Sequence, residues 1–142
     1  MLMSTRITLT TFALVVFAAS PGLGQTIKTV PPNPTSPASG KDMFNEYCAV
    51  CHGQDAKGGG PAATALKKKP ADLTQLTVHN KGKFPDVRVA RYIEGEDQLD
   101  AHGTRDMPMW GGVFKSMAGG SDTTRMRVAN LTDYIKSLQA AN

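Results

Sequence analysis

Two cysteines three residues apart, followed at once by a histidine, constrain this chain more than any other feature: Cys48-Ala49-Val50-Cys51-His52. Side chains three apart on a helical turn share a face. Both thiols can therefore bond the two vinyl groups of one porphyrin, while the histidine comes up beneath its iron. Three other uses of such a run are weaker. A redox dithiol of the thioredoxin kind needs alternating strands and helices around it, and no run of alternating apolar and polar residues reads as a strand. A zinc site needs four ligands, and the chain has two cysteines and three histidines, with His79 and His102 far from the motif. A disulfide closing so small a loop restricts the unfolded chain little and has no use for the adjacent histidine. The motif therefore reads as covalent attachment of one haem c, with iron, through Cys48 and Cys51, and with His52 as an axial ligand.

The cofactor also answers a problem of core. Residues 1–24 have the three-part layout of a secretory signal peptide: Arg6, an apolar run from Ile7 to Ala19 broken by three threonines, and the small-x-small triplet Gly22-Leu23-Gly24. The run is shorter than the roughly 20 residues a membrane span wants. The rival reading is an uncleaved anchor, the one way this chain would hold to a membrane. Cleavage after Gly24 removes Arg6 and no other charge, so the net charge falls from +4 to +3. Residues 25–38 form a linker with Pro31, Pro32, Pro34 and Pro37, expected to be extended, exposed and mobile. The domain proper, residues 39–142, is small and loop-rich and buries limited apolar surface. A flat apolar porphyrin supplies what is missing.

The expected fold class is all-α, with three longer helices, one short one and long loops. Ser39 reads as an N-cap, with Met43, Phe44 and Tyr47 at helical spacing up to Cys48. Ala62–Leu66 reads as a short helix, and 72–83 as mostly loop. Pro85 opens a helix whose buried face is Val89 and Ile93 and which Gly95 ends. The stretch from Glu96 to Gly120 reads as irregular, wrapping a cofactor. Ser121 or Asp122 caps a last helix running to about Ala140, with Val128, Leu131, Tyr134, Ile135 and Leu138 as its apolar stripe. Met126 reads as core and Met117 as a gap-filler.

Taken together these features resemble the class I c-type cytochromes, in particular short bacterial members with one haem. The resemblance covers residues 39–142. It is carried by Gly40-Lys41-Asp42-Met43-Phe44 leading into the motif, by Gly53 after it, by Met107-Pro108-Met109-Trp110-Gly111, and by Tyr134-Ile135-Lys136-Ser137-Leu138. It implies a cytochrome c fold in which the first and last helices cross closely, with Gly40 and Phe44 meeting Tyr134. It implies a methionine as second iron ligand, and the family pattern places that methionine directly before a proline, at Met107. Pro108 fixes the backbone there. Met109 is the reserve, and His102 would give a bis-histidine iron instead. Within the same loop Trp110 reads as lying against the haem edge or sealing the pocket. The resemblance also implies that a proline carbonyl orients His52. Pro61 and Pro70 are both on offer, and the reading leans to Pro70 with Leu73 packed on the haem. Arg88, Arg91 and Arg105 are candidates to neutralise the propionates.

An iron closed by histidine and methionine transfers electrons, and methionine raises its potential. The expected function is thus a periplasmic carrier of single electrons between a redox donor and an acceptor, such as a membrane oxidase or a dehydrogenase. It is not an enzyme in this reading. A haem enzyme or gas sensor would need an open distal face and an acid–base residue, for which only His79 and His102 offer themselves. A third reading is the same chemistry in a tethered subunit, with the proline-rich segment as spacer. No basic stripe with interleaved aromatics points to nucleic acid. Lys67-Lys68-Lys69 reads as a solvated run that can also steer an acidic partner.

Overall fold

The computed structural model describes residues 32–96, 107–117 and 119–140, and every regular element among them is helical. The signal-peptide reading lies outside the described residues, as do His102 and Arg105. Ser39 does cap the first helix, its side chain accepting from Asp42 N at 3.2 Å. α1 (Gly40–Met43) continues without a break through a π-helical turn (Phe44–Cys48) into α2 (Ala49–His52). Within that turn Ala49 N–H reaches back to Phe44 O, one residue further than in an α-helix. The extra residue rotates the motif relative to the apolar face that precedes it, a device common near functional sites. Periodicity of 3.6 cannot announce it.

The last helix, α6 (Gly120–Ser137), lies across α1. Gly40 is why the two approach so closely. A Cβ there would run into the Asn130 carbonyl and lie 2.8 Å from Tyr134 Cβ. Phe44 fills the space beside the crossing, its ring 5.4 Å from that of Tyr134. Val128, Leu131 and Ile135 are buried, with Tyr134 and Leu138 half-buried against them. Met126 is about half exposed, and its neighbour Arg127 is buried instead. The buried face runs Thr124, Arg127, Val128, Leu131, Ile135, and Met126 is out of phase with it. The helix begins at Gly120 rather than at Ser121 or Asp122 and stops at Ser137. Beyond it Gln139 donates to Leu73 O at 2.7 Å and accepts from Thr77 N at 2.9 Å.

Two segments read as loop are ordered. Asp72 caps a 3-10 turn (Leu73–Gln75) that runs into α3 (Leu76–His79). Both are too short for a periodic signal. α5 (Trp110–Ser116) lies in the stretch read as irregular. Gly111 and Gly112 depress its intrinsic helicity. Gly111 is nevertheless required, since a Cβ there would sit 2.8 Å from Glu94 O of the helix it packs on. Burial of Trp110 and Phe114, four apart, outweighs the propensity cost. The short helix expected at Ala62–Leu66 is a 3-10 turn, Ala63–Ala65. α4 (Asp86–Glu94) follows expectation, with Val89 and Ile93 buried and Gly95 at φ +90° closing it.

α4 and α6 are also tied on the surface. Lys136 Nζ donates to Asp86 Oδ1 at 2.7 Å and lies 5.8 Å from the centre of the Phe84 ring. The hydrogen bond from Lys136 holds the Asp86 carboxyl below its ordinary value, and the same bond holds the Lys136 ammonium above its own. The aspartate's contribution is present above its unfolded pKa, about 3.9, and is lost as pH falls through the lower folded value. The lysine's is present below about 10.4 and is lost as pH rises through its higher folded value. Asp86→Asn is expected to lower the urea midpoint slightly at pH 7 and by less as the pH falls below the ordinary carboxylate range, both groups being solvated. An equal loss throughout would show that the charge is not what matters.

The proline-rich segment is hydrogen-bonded to the helices over its last residues. Asn33 O accepts from Tyr47 Oη at 2.8 Å, and Thr35 Oγ1 lies 2.9 Å from the same hydroxyl. Arg127 donates to Thr35 O at 2.9 Å, and Asn130 donates to Pro37 O at 2.8 Å. Residues 33–37, read as part of an extended linker, are thus hydrogen-bonded to helical residues of the domain. Side chains distant in sequence satisfy its backbone, and composition carries no trace of them.

Candidate functional site

Cys48 closes the π-helical turn, and Cys51 with His52 forms the end of α2. The chain then folds back on the helix. Gly58 N donates to His52 O at 2.7 Å, Gly60 N to Cys51 O at 3.0 Å and Ala62 N to Val50 O at 2.8 Å. A Cβ at Gly60 would sit 2.5 Å from the carbonyl oxygens of both Ala49 and Val50. The glycines of 58–60 thus serve to clothe the end of the motif helix with backbone. Cys48 and Cys51 are both half-buried free thiols. Burial, and next the neighbouring Cys51, push the Cys48 thiol up to about 12. A redox dithiol needs the opposite, a readily formed thiolate, so that reading loses its chemistry as well as its fold.

His52 is oriented as an iron ligand requires. Its Nδ1 lies 3.1 Å from Ala71 O. With Nδ1–H donating to that carbonyl, the lone pair is on Nε2. Burial lowers the His52 pKa, partly offset by the Ala71 bond, which favours the neutral imidazole that binds metal. The orienting carbonyl is therefore Ala71's, not that of Pro70. The reason is local: the Pro70 carbonyl is pressed against Gly58, and the next carbonyl along turns to the ring. Leu73 follows directly, half-buried against the core, its N–H bonded to Ala56 O at 2.8 Å.

Met107 and Met109 come from the segment entering α5. Met107 is half-buried, whereas Met109 is 48% exposed and lies across Gly95, its Cγ 2.6 Å from where a Cβ would stand. Trp110 opens α5 and belongs to a stack, its ring 5.2 Å from Tyr47 and 5.8 Å from Phe114. Tyr47 immediately precedes Cys48, so this stack joins the start of the motif to the segment bearing the methionines. Tyr47, Phe114 and Ala71 are functional neighbours that the sequence reading passed over. Only Tyr47, next to the motif and in phase with Phe44, carried a signal. Of the propionate candidates, Arg88 lies over the Tyr92 ring at 5.7 Å and Arg91 lies 3.8 Å from Glu96, both exposed.

A haem fits these residues. The two thiols and the imidazole lie within five residues at one helical end, and the imidazole is already oriented by a backbone acceptor. Cys48, Leu73, Leu76, Trp110 and Met117 are apolar, half-buried and packed on the core, an incompletely covered apolar margin suited to a flat apolar ring. Cys48 and Cys51 would hold the ring and His52 its iron. Among the described residues no three His, Cys, Asp or Glu side chains gather as a metal cluster, and no helix is long and apolar enough to cross a membrane.

Comparison with known proteins agrees with this geometry. The sequence pattern of one family, described as cytochrome C oxidase, cbb3-type, subunit III, matches residues 35–119. No curated protein and no solved structure matches the chain. The matched span starts at Thr35, inside the strap that residues 33–37 form against Tyr47 and Arg127, and includes Cys48, Cys51, His52, Met107 and Trp110.

Proposed function

The chain belongs to the cytochrome C oxidase, cbb3-type, subunit III family, as a class I c-type cytochrome with one covalent haem c, and from that premise we propose that it is an exported, periplasmic carrier of single electrons with its iron held between His52 and Met107. The haem supplies a ferric–ferrous couple when bound. The chain's residues determine how that couple behaves. Cys48 and Cys51 prevent its loss. Ala71 O fixes the His52 ring, and hydrogen bonding at Nδ1 raises the basicity of the ligating nitrogen. Met107, half-buried ahead of α5, would supply the second ligand to the iron, which would exclude small ligands and favour the reduced state. The observation that carries this reading is the motif held with His52 Nδ1 on Ala71 O at 3.1 Å. Met107 is preferred to Met109 because the latter lies across Gly95 and is more exposed.

The partners in this reading are a redox donor and an acceptor met by brief contacts, which need little buried area. The family's name points to an oxidase as one of them. Lys57, Lys67, Lys68 and Lys69 are exposed and suit an acidic partner surface, which speeds encounter without setting affinity. No catalytic role is assigned to the protein.

A visible spectrum of the exported, matured protein tests the reading. A sulfur-to-iron charge-transfer band when oxidised, and no spectral change on adding carbon monoxide when reduced, are expected. Met107→Ala is expected to abolish the band and admit carbon monoxide, whereas Met109→Ala retains the band. A high-spin wild type that binds carbon monoxide readily would replace the carrier with an enzyme or a gas sensor.

A further inference from the structure

Arg127 is a residue for which core packing gives no reason. It occupies the buried stripe of α6 between Thr124 and Leu131, where an aliphatic side chain would continue the pattern, and is 4% exposed. Burying a guanidinium is costly unless it is paired, yet no carboxylate pairs with it among the described residues. Its Nε has no hydrogen-bond partner among the described residues. What it does touch is specific. NH2 donates to Thr35 O at 2.9 Å and NH1 to Thr35 Oγ1 at 3.3 Å, 92 residues away in sequence. Its guanidinium lies 5.7 Å from the centre of the Phe114 ring.

Thr35 is held from the other side as well. Its N–H donates to Tyr47 Oη at 3.2 Å, and that hydroxyl donates to Asn33 O at 2.8 Å. The rings of Tyr47, Trp110 and Phe114 all lie within 5.8 Å of one another, centre to centre. A continuous set of contacts therefore runs from the strap to Arg127 and Tyr47, through Phe114 and Trp110, to the segment three residues before α5, where Met107 stands. One end of the set is anchored next to Cys48, a haem attachment point.

We propose that Arg127 and Tyr47, fastened together by strap residues 33–37, are positioning residues for the distal iron ligand: they hold α5 against the motif helix and so keep Met107 from giving way to other ligands. This rests on the His52/Met107 reading. The strap then belongs to the redox site and is more than a spacer. Its removal would open the distal side locally while the crossing of α1 and α6, built on Gly40, Phe44 and Leu131, stays intact.

The test is imidazole binding to the ferric holoprotein, followed by loss of the charge-transfer band, alongside guanidinium unfolding of each variant. Arg127→Ala is expected to bind imidazole about tenfold more tightly than wild type, the scale of one lost charge-assisted hydrogen bond, with Arg127→Lys in between. Tyr47→Phe keeps the ring stack and removes only the hydroxyl's bonds to Asn33 and Thr35, so it serves even if Arg127→Ala fails to fold. A several-fold gain in imidazole affinity is expected there. Unchanged imidazole affinity in the variants that fold, whatever their unfolding midpoints, would overturn the proposal and leave the strap a purely structural tie. Absence of the charge-transfer band from the wild type would instead defeat the His52/Met107 reading itself.

Discussion

Replacing Cys48 and Cys51 together by serine is expected to give a protein with no covalently attached haem and no stable fold. On a denaturing gel the wild type should stain for haem and the double variant should not. Its far-ultraviolet circular dichroism should fall toward that of an unfolded chain. The size of the effect follows from how little else there is to hold the domain. Its fully buried large side chains are Phe44, Phe114, Met43 and Leu131, and the margin at Cys48, Leu73, Leu76 and Trp110 is only half covered by protein. A group that meets only the folded state adds about 4 kcal/mol at about a thousand times its dissociation constant, and covalent tethering raises the effective concentration further. A domain of this size is held by roughly 5–15 kcal/mol in all. The single variants should retain part of the haem, each through its remaining thioether. A double variant that kept its helical signal and melted cooperatively without haem would show that the side-chain core suffices.

The second large effect is expected at Gly40. Gly40→Ala should lower stability by about 3 kcal/mol, a fall in Tm of roughly 12–24 °C. The new methyl would have to share space with the Asn130 carbonyl and would lie 2.8 Å from Tyr134 Cβ. Neither is the mobile end of a side chain, so one helix must move off the other. Gly112→Ala is the control of opposite sign. It lies within α5, exposed, with nothing among the described residues within 4 Å of the added carbon. It should stabilise by about 0.5–1 kcal/mol, the helix-propensity difference between the two residues. Thermal melts of the two variants beside wild type decide the matter. A Gly40→Ala protein that melts like the wild type would mean that the crossing tolerates a looser approach.

Several parts of this arrangement are written locally. Ser39 as a cap, Val89 and Ile93 as a buried face, and Gly95 as a stop each depend on residues within one or two turns. All are legible because caps and periodicity are local properties. The close crossing of first and last helices was legible only through resemblance, from Gly40, Phe44 and Tyr134. By contrast α5 was masked by its own glycines. Its stability comes from Trp110 and Phe114 packing on Tyr47, more than sixty residues upstream. Met126, expected in the core, is half exposed while Arg127 beside it is buried, because burial on α6 follows angular position on the helix and not the hydropathy of each residue.

The amino-acid sequence by itself determined the chemistry. Two thiols and an imidazole at fixed spacing dictate which group is held and from which side, because covalent attachment and proximal ligation need only one helical end. The tertiary structure alone decided what surrounds that chemistry. It set the Ala71 carbonyl at His52 Nδ1 and laid that of Pro70 against Gly58. It set Met109 across Gly95 and left Met107 the more buried of the two. It also folded residues 33–37 onto Tyr47 and Arg127. Each of these depends on contacts between segments distant in the chain, whose relative placement follows from packing the helices together and from no local pattern.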